Sequence, residues 1–285
     1  MKPGAFARLT RIEHGLMLSF AAAIGMIVAL GAIPAPFFLL VAILPPFFIE
    51  LASFSLNDLL DVKSDRINKR LDRPLVTGNV TRNEALDIAV VGFVGGNAIA
   101  YFVSLEAFAI ALAFSLLAIA YSAKLKDVAL LGNLYIALTM AIPFVYGSVI
   151  AAGTVTGDIA ILSAIAFVVG LAREIMKTTQ DVEGDRKGRG ARTLPMLLGQ
   201  RNSLYISSLL YIAAIALSYV PFASPASAYY NNAAYALPIA LTGLLLAYVA
   251  YGCISRNAGF LRQARSISLA ALAIGLLGFL AGALY

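Results

Sequence analysis

The sequence has few of the residues on which soluble enzymes depend. Of its 285 residues only 13% are charged, one is cysteine and one is histidine. The single cysteine, Cys253, excludes a disulfide within the chain, and no set of Cys and His residues has the spacing of a zinc site. The sequence contains no P-loop, no GxGxxG followed by an acidic residue and no plausible Ser-His-Asp arrangement. The chemistries that depend on these motifs are therefore excluded.

Long apolar runs take the place of the missing charge. Hydrophobic residues make up 61% of the chain, and the mean hydropathy is +0.87. A helix needs about 20 predominantly apolar residues to cross a hydrocarbon layer of ~30 Å. We predict an all-α, polytopic membrane protein in which nine transmembrane helices surround a central cavity, as a single domain over residues 1–285. The predicted spans are roughly 14–33, 36–56, 85–103, 105–122, 128–150, 158–178, 203–221, 233–253 and 266–284.

The basic residues indicate how the chain lies in the membrane. All 21 Lys and Arg residues fall in the N-terminal segment, in the last two turns of the sixth predicted span, or in the segments after the second, fourth, sixth and eighth spans. The positive-inside rule assigns this side to the cytoplasm. We therefore expect a cell-membrane protein with a cytoplasmic N-terminus and a C-terminus on the opposite side. The distribution explains the net charge of +6 without nucleic acid as a partner, and no obligate protein partner is evident.

Two acidic stretches, residues 57–65 and 181–185, hold six of the fifteen carboxylates. Each begins where an apolar span ends on the predicted cytoplasmic side, and in helical conformation each forms one acidic face. Carboxylate and amide oxygens are suitable ligands for Mg²⁺, whose coordination shell is typically completed by water and phosphate oxygens. We therefore predict a site for a metal-bound diphosphate; a solvated, salt-bridged pair of loops is the alternative. The predicted metal ligands are Asn57, Asp58, Asp61, Asp65, Asp181 and Asp185, and Asp61, Asp65, Asp181 and Asp185 are the predicted catalytic residues.

Basic and polar side chains near these acids are candidates for diphosphate binding. Guanidinium groups bind phosphate oxygens in pairs, and a lysine acts as a point charge. The alternative is that these residues only set the membrane topology or extend towards the membrane surface. The candidates are Arg66, Asn68, Arg73, Lys124, Lys126 and Lys177.

A second group of side chains lies nearer to the predicted spans and is assigned to the acceptor. Glu50 is the deepest acid of the second span, and a carboxylate within a membrane is usually functional. His14 can bind a polar acceptor or act as a base. A hydrogen-bonded buried glutamate and a solvated histidine are the alternatives. The candidates for acceptor binding are Glu13, His14, Glu50 and Tyr121.

The two acidic stretches also resemble known motifs. Asn57-Asp58-x-x-Asp61-x-x-x-Asp65 resembles the NDxxDxxxD signature of the UbiA superfamily of intramembrane prenyltransferases. Asp181-x-x-x-Asp185 resembles its second motif, DxxxD. The resemblance implies the nine-helix fold and a Mg²⁺-dependent transfer of an isoprenyl group, through an allylic carbocation. The implied partners are an isoprenyl diphosphate donor, a small polar or aromatic acceptor and membrane lipid.

The acceptor differs between branches of this family. The segments 65–75 and 173–185 resemble the branch that makes archaeal membrane lipids, which implies geranylgeranylglyceryl phosphate as the acceptor and a geranylgeranyl-type donor. The segment 11–14 instead resembles the branch that prenylates 4-hydroxybenzoate. The family's Tyr-x-x-x-Lys spacing is not met after Tyr121, so the choice between Lys124 and Lys126 stays open. A secondary transporter is the remaining alternative, although its site would lie near the bilayer midplane.

Overall fold

The computed structural model describes residues 2–67, 69–255 and 258–285, with the backbone alone for Glu183, Gly184, Arg189 and Ala258. Within these ranges nine helices are long and apolar enough to cross a membrane, which confirms the all-α, nine-span prediction. In chain order the helices are α1 (Pro3–Thr10), α2 (Ile12–Leu30), α3 (Pro36–Ile67), α4 (Pro74–Thr77), α5 (Arg82–Val103), α6 (Leu105–Ala123), α7 (Leu131–Ala152), α8 (Gly157–Thr178), α9 (Val182–Arg189), α10 (Leu194–Leu198), α11 (Gln200–Ala223), α12 (Ala233–Ser255) and α13 (Ala258–Leu284).

Helix α3 is much longer than the span predicted from hydropathy. It continues from the apolar run through the first acidic stretch, for 32 residues in all. Hydropathy falls at the first acids, so the pattern ends the span there, whereas the backbone stays helical because three of these acids are buried by other parts of the chain. One unbroken helix therefore joins the membrane interior to the acidic face.

The spans are arranged around a central pair of helices. Helix α2 packs against α3, α7 and α13, and α7 packs in turn against α8. Further contacts between spans run from α3 to α5 and α6, and from α8 through α11 and α12 to α13. The pair α2 and α7 thus separates the interior into two halves, and each half contains an apolar pocket described below.

Glycine allows α2 and α7 to approach closely. A Cβ atom added to Gly147 would lie 2.0 Å from the backbone oxygen of Ala22, and one on Gly25 would lie 2.2 Å from that of Phe144. Backbone atoms cannot rotate away, so we expect Gly147→Ala to destabilise the fold by more than about 2 kcal/mol. The measurement is the fraction of monodisperse protein that survives heating in detergent.

A glycine in α5 supplies the control for this prediction. Nothing lies within 4 Å of a Cβ built on Gly95. Gly95→Ala should therefore leave the thermal midpoint unchanged or raise it slightly, since alanine favours a helix over glycine by roughly 0.5–1 kcal/mol. Equal thermal midpoints for Gly147→Ala and the wild type would contradict the tight crossing.

Candidate active site

The two acidic stretches face one polar cavity of about 1380 Å³. Asn57, Asp61 and Asp65 line it from α3, four residues apart and therefore on one side of the helix. Asp181 and Asp185 line it from the start of α9, which packs against α3. The structure thus brings together five of the six predicted metal ligands.

The second stretch keeps its spacing although the helix is interrupted. Helix α8 ends at Thr178, and α9 begins after Asp181. The amide of Asp185 donates to the backbone oxygen of Asp181 at 2.9 Å, so the two carboxylates stand one turn apart. After the break between the two helices, the short helix α9 packs against α3.

Asp58, the sixth predicted ligand, lies outside the lining of the cavity. Its carboxylate is 1% exposed and accepts hydrogen bonds from Arg11 Nη2 at 2.9 Å and Arg73 Nη1 at 2.8 Å. Both arginines line the cavity. The chain returns to this point at Arg73, the N-cap of the short helix α4, which ends at Gly78 with a left-handed backbone (φ +75°). The contacts of Asp58 therefore favour a role in positioning two guanidinium groups over a role as a ligand.

The structure distinguishes the two lysines that the sequence left open. Lys126 is buried, and its Nζ donates to Asp61 Oδ1 at 2.6 Å and to Asn57 Oδ1 at 3.1 Å. Lys124 is exposed and lies outside the cavity lining. Lys126 lies in the turn Leu125–Asp127. A hydrogen bond of 2.8 Å from the amide of Arg192 to the backbone oxygen of Asp127 holds this turn in place.

The opposite wall of the cavity carries its own ion pairs. Lys177 lines the cavity as predicted, and its Nζ lies 2.7 Å from Glu174 Oε2. Arg265, from α13, donates to Asp181 Oδ2 at 2.9 Å and to the backbone oxygen of Lys177 at 3.2 Å. Charged residues at the end of α8 therefore bond to α13, and Arg173 of α8 donates to Ser268 of that helix as well.

Three cationic side chains at this site were not among the predicted binding residues. Arg11 and Arg70 line the cavity, and Arg265 pairs with Asp181. Arg70 also donates two hydrogen bonds of 2.9 Å to Asp72, which lower the pKa of that carboxyl below its usual value. A usable signal existed only for Arg70, which lies in the basic segment that directly follows the first acidic stretch; the other two approach the acids through tertiary packing.

Several predicted residues are not brought to the polar cavity. Arg66 is exposed, because it follows Asp65 directly and so points about 100° away from it on α3. Glu13 is exposed at the start of α2. Asn68 lies outside the described residues. Their selection rested on closeness in sequence, which does not determine the direction of a side chain.

Two apolar pockets lie next to the polar cavity. The larger, of about 850 Å³, is enclosed by α2, α7, α8, α11, α12 and α13, and His14 lies on its wall. The smaller, of about 480 Å³, is enclosed by α2, α3, α6 and α7, with Glu50 and Tyr135 on its wall. Tyr135 stacks on Tyr121 of the polar cavity, with ring centroids 4.7 Å apart. Polar head groups and apolar tails would therefore have adjoining but separate compartments.

The oxygen ligands of the cavity fit Mg²⁺ in kind. Carboxylate and amide oxygens face each other across the cavity, and arginine and lysine side chains stand beside them. Within the described part of the chain, no three His, Cys, Asp or Glu side chains converge closely enough to hold a metal ion by themselves.

A bundle of membrane-spanning helices, with a charged cavity above two apolar pockets, defines an intramembrane enzyme for lipid substrates with phosphate-type head groups. The family model described as "UbiA prenyltransferase family" matches residues 17–270. The chain belongs to the UbiA prenyltransferase family.

Individual relatives extend this result over nearly the whole chain. The chain is 41% identical to a digeranylgeranylglyceryl phosphate synthase of Archaeoglobus fulgidus, over 96% of this chain and 94% of the relative. A solved structure from work on digeranylgeranylglyceryl phosphate synthase has a TM-score of 0.77 at 26% identity, and the match covers 99% of this chain and 98% of that one. A UbiA homologue from Archaeoglobus fulgidus, solved with DMAPP and Mg²⁺, shares the fold with a TM-score of 0.67 at 20% identity, over 96% and 98% of the two chains.

Proposed function

We propose that this protein transfers a geranylgeranyl-type group from its diphosphate to geranylgeranylglyceryl phosphate, in the synthesis of membrane ether lipids. The observation that carries the proposal is the single polar cavity between the two acidic stretches, with apolar pockets beside it. The 41% identity to a digeranylgeranylglyceryl phosphate synthase supports this acceptor over an aromatic one. Both proposed substrates have a phosphate-type head and an apolar tail, which corresponds to the division between cavity and pockets.

The metal ligands in this proposal stand on two helices. Asn57, Asp61 and Asp65 of α3, together with Asp181 and Asp185, would hold Mg²⁺ and the diphosphate between them. Bound there, Mg²⁺ would neutralise the negative charge that develops on the departing diphosphate. All five side chains line the same cavity, so they can act together on the diphosphate head group of one substrate.

The cations of the cavity would bind the diphosphate directly. Arg11 and Arg73 are held in place by Asp58, so their remaining N–H groups are oriented before substrate arrives. Nε of Arg73 is buried and makes no hydrogen bond among the described residues, which leaves a donor for a phosphate oxygen. Lys126 and Lys177 add positive charge on opposite sides. Fixed cations of this kind stabilise a leaving anion without reorganisation.

The apolar pockets would hold the tails and exclude water. Their walls consist largely of aliphatic and aromatic side chains from the spans. A carbocation next to such walls is protected from hydrolysis until the acceptor attacks. The positive-inside distribution of Lys and Arg supports a cavity that opens to the cytoplasm, with the C-terminus on the other side.

An assay with defined substrates tests the proposal. Purified protein receives geranylgeranyl diphosphate and either geranylgeranylglyceryl phosphate or 4-hydroxybenzoate, and the products are weighed by mass spectrometry. We expect the glyceryl diether product, its loss on chelation of divalent metal and its return with added Mg²⁺. Product from 4-hydroxybenzoate alone would assign the protein to the aromatic branch, and transfer in excess chelator would refute the metal site.

A further inference from the structure

We infer that His14 is the base that accepts the proton of the acceptor hydroxyl, an assignment that rests on the proposed function. Its imidazole lies on the wall of the larger apolar pocket. Arg11, Glu174 and Lys177, which line the polar cavity, are among the charged groups that act on the ring. His14 therefore marks the boundary between the head-group cavity and a tail pocket.

This boundary is where the chemistry requires a base. In a glyceryl phosphate ether the free hydroxyl lies between the charged phosphate and the apolar chain. With the phosphate in the polar cavity and the tail in the larger pocket, the hydroxyl comes to the level of His14. A neutral imidazole has a lone pair for this proton.

The ring is fixed in position and its nitrogens are available. The imidazole packs edge-on against the Phe54 ring, with ring centroids 5.3 Å apart. The guanidinium carbon of Arg11 lies 4.2 Å from the centroid of the Phe54 ring. Among the described residues neither imidazole nitrogen makes a hydrogen bond. The charged groups that act on the ring are Arg11, at the junction of α1 and α2, and Arg173, Glu174 and Lys177, from α8.

The proposed step balances. The bond between the allylic carbon and the diphosphate oxygen breaks, and the diphosphate leaves with the electron pair. The acceptor oxygen forms the ether bond to that carbon and gives its proton to an imidazole nitrogen of His14. The imidazolium then returns the proton to solvent through the polar cavity. No oxidant, reductant or further reactant is needed.

Two variants and two readouts test this role. His14→Gln keeps a hydrogen-bonding side chain without a base, and His14→Ala opens a space for free imidazole. We expect either change to lower ether formation by roughly 10²–10⁴-fold, the usual contribution of a general base. Hydrolysis of the donor without acceptor, followed as diphosphate release, should stay within a few-fold of the wild type. Imidazole in the buffer should restore ether formation to His14→Ala.

The outcomes separate this inference from the proposed function. Wild-type ether formation by His14→Gln would overturn it. Equal loss of ether formation and diphosphate release, without rescue by imidazole, would also overturn it. Failure of the proposed function appears instead in the wild type, as absence of the ether product.

Discussion

Asp61→Asn and Asp181→Asn are each expected to reduce prenyl transfer by about 10²–10³-fold, the scale of losing one group that stabilises transition-state charge. The two carboxylates line the same cavity from α3 and from the start of α9. Each change removes one negative charge with almost no change in side-chain volume. We therefore expect a lower affinity for Mg²⁺ and an unchanged fold. The measurement is the rate of product formation across a series of Mg²⁺ concentrations, and the Mg²⁺ needed for half-maximal rate should rise.

Two further aspartates provide controls for this prediction. Asp87 is exposed on α5 and lies outside the cavity lining, so Asp87→Asn should leave both the rate and the Mg²⁺ dependence unchanged. Asp58 belongs to the same sequence motif as Asp61 but contacts Arg11 and Arg73. Asp58→Asn should raise the KM for the donor and leave the half-maximal Mg²⁺ concentration in place. A shift in Mg²⁺ dependence equal to that of Asp61→Asn would show that Asp58 is a ligand after all.

The periodic part of this site could be predicted from sequence. Asn57, Asp61 and Asp65 recur every four residues, and a helix places such residues on one side whatever surrounds it. The tight turn at Ser104 was equally predictable, since two apolar runs meet there with almost nothing between them. In the structure Ser104 ends α5 and accepts a hydrogen bond from Ala107 at the start of α6.

The partners of the acids could not be predicted in this way. Asp58 is indistinguishable from its neighbours in the motif, and only the return of Arg73 and the approach of Arg11 reveal its buried environment. Arg265 lies 84 residues from Asp181 in the chain, so no local pattern connects them. The direction of a long side chain depends on tertiary packing, and a sequence pattern gives only its position on the helix.

Lys126→Met is expected to lower kcat/KM for the donor by about 10²-fold. Lys126 Nζ bonds both Asn57 and Asp61, two proposed metal ligands, and a hydrogen bond involving a charged group contributes about 1.5–3 kcal/mol. Methionine has nearly the same length and no charge, so it fills the site without neutralising Asp61. Steady-state kinetics with varied donor, on protein with an unchanged size-exclusion profile, measures the effect.

Lys124→Met is the matched control, since Lys124 lies two residues earlier in the same segment but is exposed. Its kinetics should equal those of the wild type. Equal losses in both variants would mean that the segment contributes positive potential as a whole, without a specific contact.

The local geometry supports a specific contact of Lys126. The turn Leu125–Asp127 is a 3₁₀ helix, in which successive residues are rotated by about 120°. Lys126 lies in this turn, five residues after Tyr121, and contacts Asn57 and Asp61 of α3.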